Sequence, residues 1–289
     1  MSPIYVGNRA ISGSLSSDPV GVSTSAGSIY YSTTEDKLRF YNGTEWANVG
    51  SVPFAGDSAT HWWKNESITQ STWTATTGGV NFTEQNGSLT YTASDSRFNN
   101  LKSIGNTGNN QTYMTADTGS NGSFWNASNA FSFIAVIDKV AHNSGGSYGD
   151  GCFIHQWNGQ ADGSWSLDLT GDHTWGGSYG ESFGYNSPPG SYPQKGILMV
   201  RIGNGGSNGA IEWWPVSGSS WSVRDTCSGW PNNISSTYDA LNIFNFTSST
   251  ASSHRFSGAY AELAYFKNIR ITDAVRDAWK AYLVEKFNF

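Results

Sequence analysis

The sequence has few charged residues, and this shortage excludes several classes of protein. Asp, Glu, Lys and Arg make up 13% of the 289 residues, about half of the roughly 25% usual in soluble domains. Helix-rich proteins normally carry pairs of opposite charges and few glycines, whereas this chain has 34 glycines. The net charge of −6 comes without a basic stripe, so we expect no nucleic-acid binding.

Cysteines and long apolar segments are also scarce. The two cysteines, Cys152 and Cys227, are too few for a disulfide scaffold, and the sequence leaves open whether they pair or are buried separately. The apolar-rich stretch 131–137 is far too short to span a bilayer, so we expect no membrane insertion. The first nine residues have neither a basic nor an apolar signal region, so we expect no secretory signal.

What the chain has instead is aromatic residues and short strand-like runs. It contains 13 Trp, 14 Tyr and 15 Phe, and runs of alternating or apolar residues are separated by Gly, Asn and Ser clusters. Such evenly spaced runs predict an antiparallel β-sandwich or barrel. The predicted strands are 88–92, 130–137, 152–157, 165–170, 196–202, 210–215, 240–246 and 259–266. In the strand 210–215, Trp213 and Trp214 should point to opposite faces, one of them into the core.

One segment near the end of the sequence predicts a helix. Thr272 can cap it, and Asp273 suits its first turn. A single apolar stripe is predicted from the helical period. Its members are Val275, Ala278, Tyr282 and Leu283.

The first fifty residues form a separate pattern. Runs at 28–33, 37–41 and 44–49 predict a three-strand meander, and Asn42-Gly43 is a strong hairpin signal. A meander this small cannot bury enough apolar surface to fold alone, so it must lie on another domain, another copy of the chain or a larger assembly. The residues expected to make this attachment or oligomer contact are Ile29, Tyr31, Leu38, Phe40 and Trp46. We therefore predict a meander at 1–50, a linker at 51–60 and a sandwich domain at 61–289.

Part of the meander resembles a known segment. The string Gly-Ser-Ile-Tyr-Tyr-Ser-Thr-Thr-Glu-Asp-Lys-Leu-Arg-Phe-Tyr-Asn-Gly-Thr-Glu-Trp at 27–46 is similar to a segment near the start of structural proteins of tailed bacteriophages. This resemblance implies attachment to a virion, with other capsid or tail proteins as partners and a location on the particle surface. Because a small meander gains its missing core by self-association, we expect a homotrimer.

The larger part resembles the concanavalin A-like lectin/glucanase (laminin-G-like) jelly roll. Three stretches carry this resemblance: an entry at 61–79 that begins His-Trp-Trp-Lys, a middle at 130–137, and an exit at 256–287 in which Gly-Ala-Tyr-Ala-Glu precedes the helix. The resemblance implies two packed antiparallel sheets, and it does not imply one activity.

The family that this part resembles includes glucanases, whose catalytic carboxylates follow a recognisable motif. Its glucanases carry two carboxylates on one strand face in a Glu-x-Asp-x-(x-)Glu string, and this sequence has no such string. Asp168 and Asp172 lie four residues apart, but Gly171 makes a turn between them. The glutamates are isolated from one another in the sequence: Glu66, Glu84, Glu181, Glu212 and Glu262. No nucleophile elbow accompanies the histidines, so we expect no enzymatic activity.

Metal ligands have no recognisable spacing either. Residues that could contribute to a Ca²⁺ site are Asp150, Asp168, Asp172 and His173, but no loop arranges them as a binding motif. We therefore expect no cofactor.

A sugar-binding surface is the remaining candidate site. Between 142 and 192, aromatic residues alternate with Gly, Ser and Pro, and an aromatic ring can stack on the apolar face of a sugar. The candidate residues are Trp175, Tyr179, Tyr185 and Tyr192. A subunit contact or plain packing would also explain them.

Together these patterns predict a non-enzymatic structural protein on the surface of a tailed phage, either a head decoration or a tail-fibre component. It would adhere to cell-surface glycans through many weak sites. The alternatives are a laminarinase-like polysaccharide hydrolase and a purely architectural capsid cement without a ligand.

Overall fold

The structure is a computed structural model that describes the chain in segments. The backbone is described for residues 4–6, 9–15, 29–32, 37–41, 46–48, 59–87, 89–106, 112–117, 125–126, 129–141, 152–156, 165–168, 174–176, 181–183, 195–204, 207–216, 218–227, 237–238, 240–244 and 257–289. Side chains are described for residues 39, 41, 59–87, 89–106, 112–117, 129–138, 195–204, 207–216, 218–222, 240–244 and 258–289.

The described elements are β-strands, short 3₁₀ turns and one α-helix. The strands of the first half are β1 Ile4–Val6, β2 Arg9–Leu15, β3 Ile29–Ser32, β4 Lys37–Tyr41, β5 Trp46–Asn48, β6 His61–Trp63, β7 Thr72–Trp73, β8 Phe82–Gln85, β9 Thr90–Asp95, β10 Leu101–Asn106, β11 Tyr113–Asp117, β12 Trp125–Asn126 and β13 Phe131–Ala141. The remaining elements are β14 Cys152–Gln156, β15 Trp165–Asp168, β16 Thr174–Gly176, β17 Glu181–Phe183, β18 Lys195–Ile202, β19 Gly209–Pro215, β20 Ser222–Cys227, β21 Thr237–Tyr238, β22 Ala240–Ile243, β23 Ser257–Lys267 and the helix α1 Asp273–Phe287. All eight strands predicted after residue 60 are present.

Two compact units make up the chain. The N-terminal unit comprises residues 1–57 with 274–285 of the helix, and the sandwich unit comprises 58–273 with 286–289. In the N-terminal unit, strands β1 to β5 form one sheet in sequence order. The three predicted meander strands are β3, β4 and β5, with Tyr31 opposite Leu38 and Ile29 opposite Phe40. Two strands precede them, and β2 pairs with β3 in parallel.

The sandwich unit contains two eight-stranded antiparallel sheets. The first sandwich sheet has the order β20-β19-β18-β13-β23-β10-β9, with β6 also paired to β23. The second sandwich sheet has the order β17-β16-β15-β14-β22-β11-β8-β7. A separate two-stranded ladder joins β12 to β21. This arrangement confirms the predicted all-β antiparallel sandwich with a C-terminal helix.

The core lies between the two sandwich sheets, and side-chain alternation places its residues there. In β13, Phe131, Phe133, Ala135 and Ile137 belong to the core cluster. In β22 of the second sheet, Leu241 and Ile243 do so, while the residue between them does not.

The adjacent tryptophans of β19 point to opposite faces of the sheet, as predicted. Trp213 lies in the core cluster, whereas the Trp214 ring packs edge-on against Trp221, with ring centroids 5.6 Å apart.

The first sandwich sheet is buried on its other face as well. Ile134 and Val136, which alternate with the core residues of β13, are buried, as expected for a nearly continuous apolar run. A buried ion pair lies on this face: Arg201 Nε donates to Glu212 Oε2 at 2.6 Å, and Arg201 Nη1 donates to the carbonyl of Ile271 and to Asp273. The start of α1 is thereby tied to the sheet.

The helix has the predicted bounds but a different buried stripe. Its buried residues, spaced four apart, are Val275, Trp279, Leu283 and Phe287. Ala278 and Tyr282, which the sequence placed in the stripe, are half-buried. The buried stripe is therefore rotated about the helix axis relative to the predicted one, because the large Trp279 and Phe287 side chains have more apolar area to bury. Within the described residues, no helix combines the length and the apolar character that crossing a membrane requires.

Candidate sugar-binding face

The outer face of the second sandwich sheet carries one unbroken row of register-matched positions across all eight strands. Each member lies opposite the next in the strand pairing, from β7 at one edge to β17 at the other. In strand order the members are Thr72, Thr83, Thr115, Asn242, His155, Ser166, Trp175 and Ser182. Because strands lie about 4.8 Å apart, the row extends over roughly 34 Å. We call it the polar row.

Strand alternation sets the polar row apart from the core. Met114 and Ala116, on either side of Thr115, belong to the core cluster, and so do Leu241 and Ile243 on either side of Asn242. Successive side chains of a strand point to opposite faces, so Thr115 and Asn242 face away from the core. Seven of the eight members can donate or accept hydrogen bonds through oxygen or imidazole nitrogen, and the eighth is a tryptophan.

Among the row members whose side chains the structure describes, Asn242 is the least satisfied. Its side chain is fully buried, and neither its Oδ1 nor its Nδ2 atom has a hydrogen-bond partner. Leaving a buried amide unpaired costs about 1–3 kcal/mol, and folded proteins rarely leave such groups unpaired. A buried amide with one acceptor and two donors is therefore a site where a bound ligand or an ordered water supplies the missing bonds.

The strands beside Asn242 add hydroxyl, amide, carboxylate and phenol groups to the same face. Gln85 Nε2 donates to Thr83 Oγ1 at 3.2 Å, which orients both side chains. On β11, Tyr113 and Asp117 lie two residues from Thr115 and so share its face. Tyr113 is half-buried and opposite Gln85, and burial raises the pKa of its hydroxyl, so the ring is neutral at physiological pH.

The sequence-predicted sugar-binding residues meet this face at one position. Trp175, in β16, is a member of the polar row, three strands away from Asn242. Tyr179, Tyr185 and Tyr192 lie outside the described residues. Sequence reasoning missed Asn242, although a single polar residue between Leu241 and Ile243 in a short apolar strand was a usable signal.

The other predicted sites are described only in part. The attachment residues Ile29, Tyr31, Leu38, Phe40 and Trp46 lie in β3, β4 and β5, and their side chains are outside the described residues. The same holds for Cys152, which begins β14, and Cys227, which ends β20. Of the Ca²⁺ candidates, Asp168 ends β15, while Asp150, Asp172 and His173 lie outside the described segments. Among the residues that the structure describes, no group of three or more His, Cys, Asp or Glu is arranged to hold a metal ion.

A second polar cluster lies around Glu262 in the first sandwich sheet. Lys286 Nζ is 2.7 Å from Glu262 Oε2 and 2.9 Å from Glu66 Oε1, and Trp62 Nε1 donates to Glu262 Oε1 at 2.8 Å. Glu262 is almost fully buried, and this burial raises its pKa despite the adjacent ammonium. Burial alone would also raise the pKa of Glu66, but the hydrogen bond from Lys286, a backbone hydrogen bond and the charges of Lys286 and Lys64 together outweigh burial, so the pKa is lowered. The sequence suggested that Glu66 and Glu262 are isolated from each other. The structure shows that they are not, because the fold brings these two residues, 196 positions apart in the chain, to the same lysine.

Comparison with known proteins identifies similar folds. No protein-family model matches the chain, and no curated protein matches it. Among solved structures, a Trypanosoma rangeli sialidase in complex with sialic acid is 12% identical with a TM-score of 0.52, over 90% of this chain and 44% of that one. An arabinofuranosidase complexed with arabinofuranosyl-alpha-1,2-xylobiose is 13% identical with a TM-score of 0.50, over 75% of this chain and 51% of that one. The chain thus spans about half the length of these structures or less.

These similarities correct one expectation. The prediction that the protein has no enzymatic activity is wrong, since its structural neighbours include sialidases and an arabinofuranosidase, which are glycoside hydrolases. The prediction relied on the missing Glu-x-Asp string, but carboxylates can meet from distant parts of the chain, as Glu66 and Glu262 do at Lys286. The chain has the antiparallel β-sandwich architecture of carbohydrate-active domains.

Proposed function

We propose that the protein binds carbohydrate on the polar row of the second sandwich sheet. The observation that carries this proposal is Asn242, whose fully buried amide has no partner in the folded chain. An amide can donate to one hydroxyl and accept from its neighbour, which suits the adjacent hydroxyls of a sugar ring. Tyr113 adds an aromatic ring at the face, and Trp175 occupies a position of the row; aromatic rings stack on the apolar side of sugars.

The fold comparison supports the same ligand class. The sialidase and arabinofuranosidase structures contain sialic acid and an arabinofuranosyl xylobiose. The length of the row, about 34 Å across eight strands, would give an oligosaccharide several contacts of moderate strength.

Matched variants test the proposal. Asn242→Leu and Trp175→Ala should each weaken binding on a glycan array at least about fivefold, because each removes a hydrogen-bonding or stacking group worth about 1 kcal/mol or more. Ser94→Ala, at an exposed position of β9 in the other sheet, is the control and should leave binding unchanged. Circular dichroism establishes that each variant is folded. Unchanged binding in both Asn242→Leu and Trp175→Ala would refute the assignment to this face.

A polysaccharide hydrolase is the second candidate function. It is favoured by the hydrolases among the similar folds and by the carboxylates of Glu66 and Glu262, which share Lys286 and have pKa values moved in opposite directions. Opposed pKa values are typical of a general acid and its partner carboxylate. Release of reducing sugar from laminarin, sialyllactose and arabinoxylan tests the activity, and Glu66→Gln should abolish it. Turnover that survives Glu66→Gln would rule out this pair.

For the biological setting, we propose the surface of a tailed phage particle, with residues 1–50 attaching the chain to other virion proteins as a homotrimer. The resemblance of 27–46 to phage structural proteins supports this setting. Light scattering of the purified chain measures the oligomer, and electron microscopy of labelled particles locates it. A strictly monomeric chain that is absent from particles would refute this part of the proposal.

A further inference from the structure

The two sandwich sheets differ sharply in charge. The strand residues of the second sandwich sheet include no Lys or Arg, whereas those of the first include six cations. These are Lys102, Lys139, Lys195, Arg201, Arg224 and Lys267. The acidic residues do not follow this bias, because the second sheet has four of its own: Glu84, Asp117, Asp168 and Glu181.

The absence of cations extends into the chain around these strands. From residue 142 to residue 194, which contains β14 to β17, the sequence has five acidic residues and no Lys or Arg. The formal net charge of this segment is therefore 0 − 5 = −5 with its histidines neutral. The nearest cation after it is Lys195, at the start of β18 in the first sheet.

Two of the carboxylates belong to the face that carries the polar row. Asp117 lies two residues from Thr115 in β11, and Asp168 lies two residues from Ser166 in β15. Residues two apart in a strand share a face, so Asp117 and Asp168 flank the row, and Asp117 is exposed.

We infer that the polar row selects neutral glycans and discriminates against those that carry a carboxylate or sulfate. This inference rests on the proposed carbohydrate-binding function and specifies its substrate class. Proteins bind anionic groups with Arg or Lys, and the second sheet places neither at the row. Its carboxylates instead accept hydrogen bonds from neutral hydroxyls and repel negative charge. Sialic acid, which the similar sialidase binds, would be a poor ligand here.

The test compares matched oligosaccharides that differ by one acidic group. The full chain is applied to an array of pairs such as lactose with 3′-sialyllactose, and galactose oligomers with and without sulfate. We expect the neutral member of each recognised pair to bind at least about threefold more tightly at 20 mM NaCl, and the difference to shrink at 500 mM NaCl as the charges are screened.

A charge variant with a matched control tests the cause. Thr83 and Ser94 are both exposed strand residues, one in the polar row and one in β9 of the first sheet. Thr83→Lys should reduce the ratio of the acidic member's Kd to the neutral member's Kd at least about twofold. Ser94→Lys, with the same change in net charge, should leave this ratio unchanged.

The outcomes separate the two proposals. Equal or tighter binding of the acidic members would overturn the inference while leaving carbohydrate binding intact. If Thr83→Lys and Ser94→Lys gave the same ratio of acidic-member Kd to neutral-member Kd, the electrostatic explanation at this face would be overturned. Binding of no member of the array would refute the proposed function itself, and the inference with it.

Discussion

Lys286, in the last turn of the helix, reaches the buried carboxylate of Glu262, with Nζ 2.7 Å from Oε2. Glu262 is 1% exposed and lies in β23, the strand between β13 and β10. The indole of Trp62 donates to the other carboxylate oxygen. Both oxygens of a carboxylate in the middle of the first sandwich sheet are thereby bound by side chains of the sandwich unit.

Removing Lys286 should show how much the buried charge of Glu262 destabilises the protein when it has no cation beside it. Lys286→Met is expected to lower the free energy of unfolding by about 3 kcal/mol at pH 7.5, because Glu262 is left ionised without its cation. The pKa of Glu262 is already raised in the folded state, so protonation of this carboxylate favours the fold. The decrease in unfolding free energy caused by Lys286→Met should therefore become smaller as the pH is lowered toward 4.5. Urea unfolding at several pH values measures this. Lys286→Arg, which keeps the charge, is the control, and an equal loss in both variants would contradict the electrostatic explanation.

Asn242 should limit the stability of the unliganded protein. Asn242→Leu replaces an unpaired buried amide with an apolar group of similar size, so we expect a gain of about 1 kcal/mol in unfolding free energy. Asn106 is the matched control, since it is equally buried but its Nδ2 donates to the carbonyl of Thr112. Asn106→Leu should therefore destabilise the protein. Thermal unfolding of both variants checks the prediction, which fails if Asn242→Leu melts below the wild type.

Two adjacent glycines should respond very differently to a methyl group. Gly78 and Gly79 have φ values of 89° and 70°, and an alanine would be strained in either place. A Cβ at Gly78 would also overlap Nδ1 of His61 and the carbonyl oxygen of Thr60, whereas a Cβ at Gly79 meets no atom within 4 Å. We expect Gly78→Ala to cost about 3 kcal/mol and Gly79→Ala about 1 kcal/mol. Equal melting temperatures for the two variants would contradict the steric argument.

His61 should make the fold sensitive to acid. Its ring stacks between Trp63 and Tyr265, with centroid distances of 5.5 and 6.1 Å, and burial, with a smaller contribution from Lys267, lowers its pKa to about 4. The unfolded chain takes up a proton near the ordinary value of 6.5, so stability from the neutral ring is present above that pH and is lost as the pH falls from 6.5 to 4. His61→Phe should flatten this part of a plot of unfolding free energy against pH. If His61→Phe left the slope of this plot between pH 6.5 and 4 unchanged, groups other than His61 would be the cause of the pH dependence.

The candidate site combines one residue selected from the sequence, whose role in sugar binding stays a prediction, with residues that only strand pairing brings together. Trp175 was selected because it lies among glycines and serines, and the register places it in the polar row. Asn242 was missed although its place between Leu241 and Ile243 was a local signal, whereas Thr115 does not stand out until β11 and β22 are paired across more than a hundred residues. The carboxylates of Glu66 and Glu262 were judged isolated for the same reason.

The sequence by itself determined the local structure: the alternation of apolar and polar residues specifies strands with one buried face, and the period near residue 280 specifies a helix. These signals are local because a residue's neighbours along the chain set its backbone conformation and its exposed side. Only the tertiary structure decided which strands lie side by side, and therefore which polar residues form one row. Strand pairing is a long-range choice, made by packing two whole sheets around one core, so its register cannot be derived from any single segment.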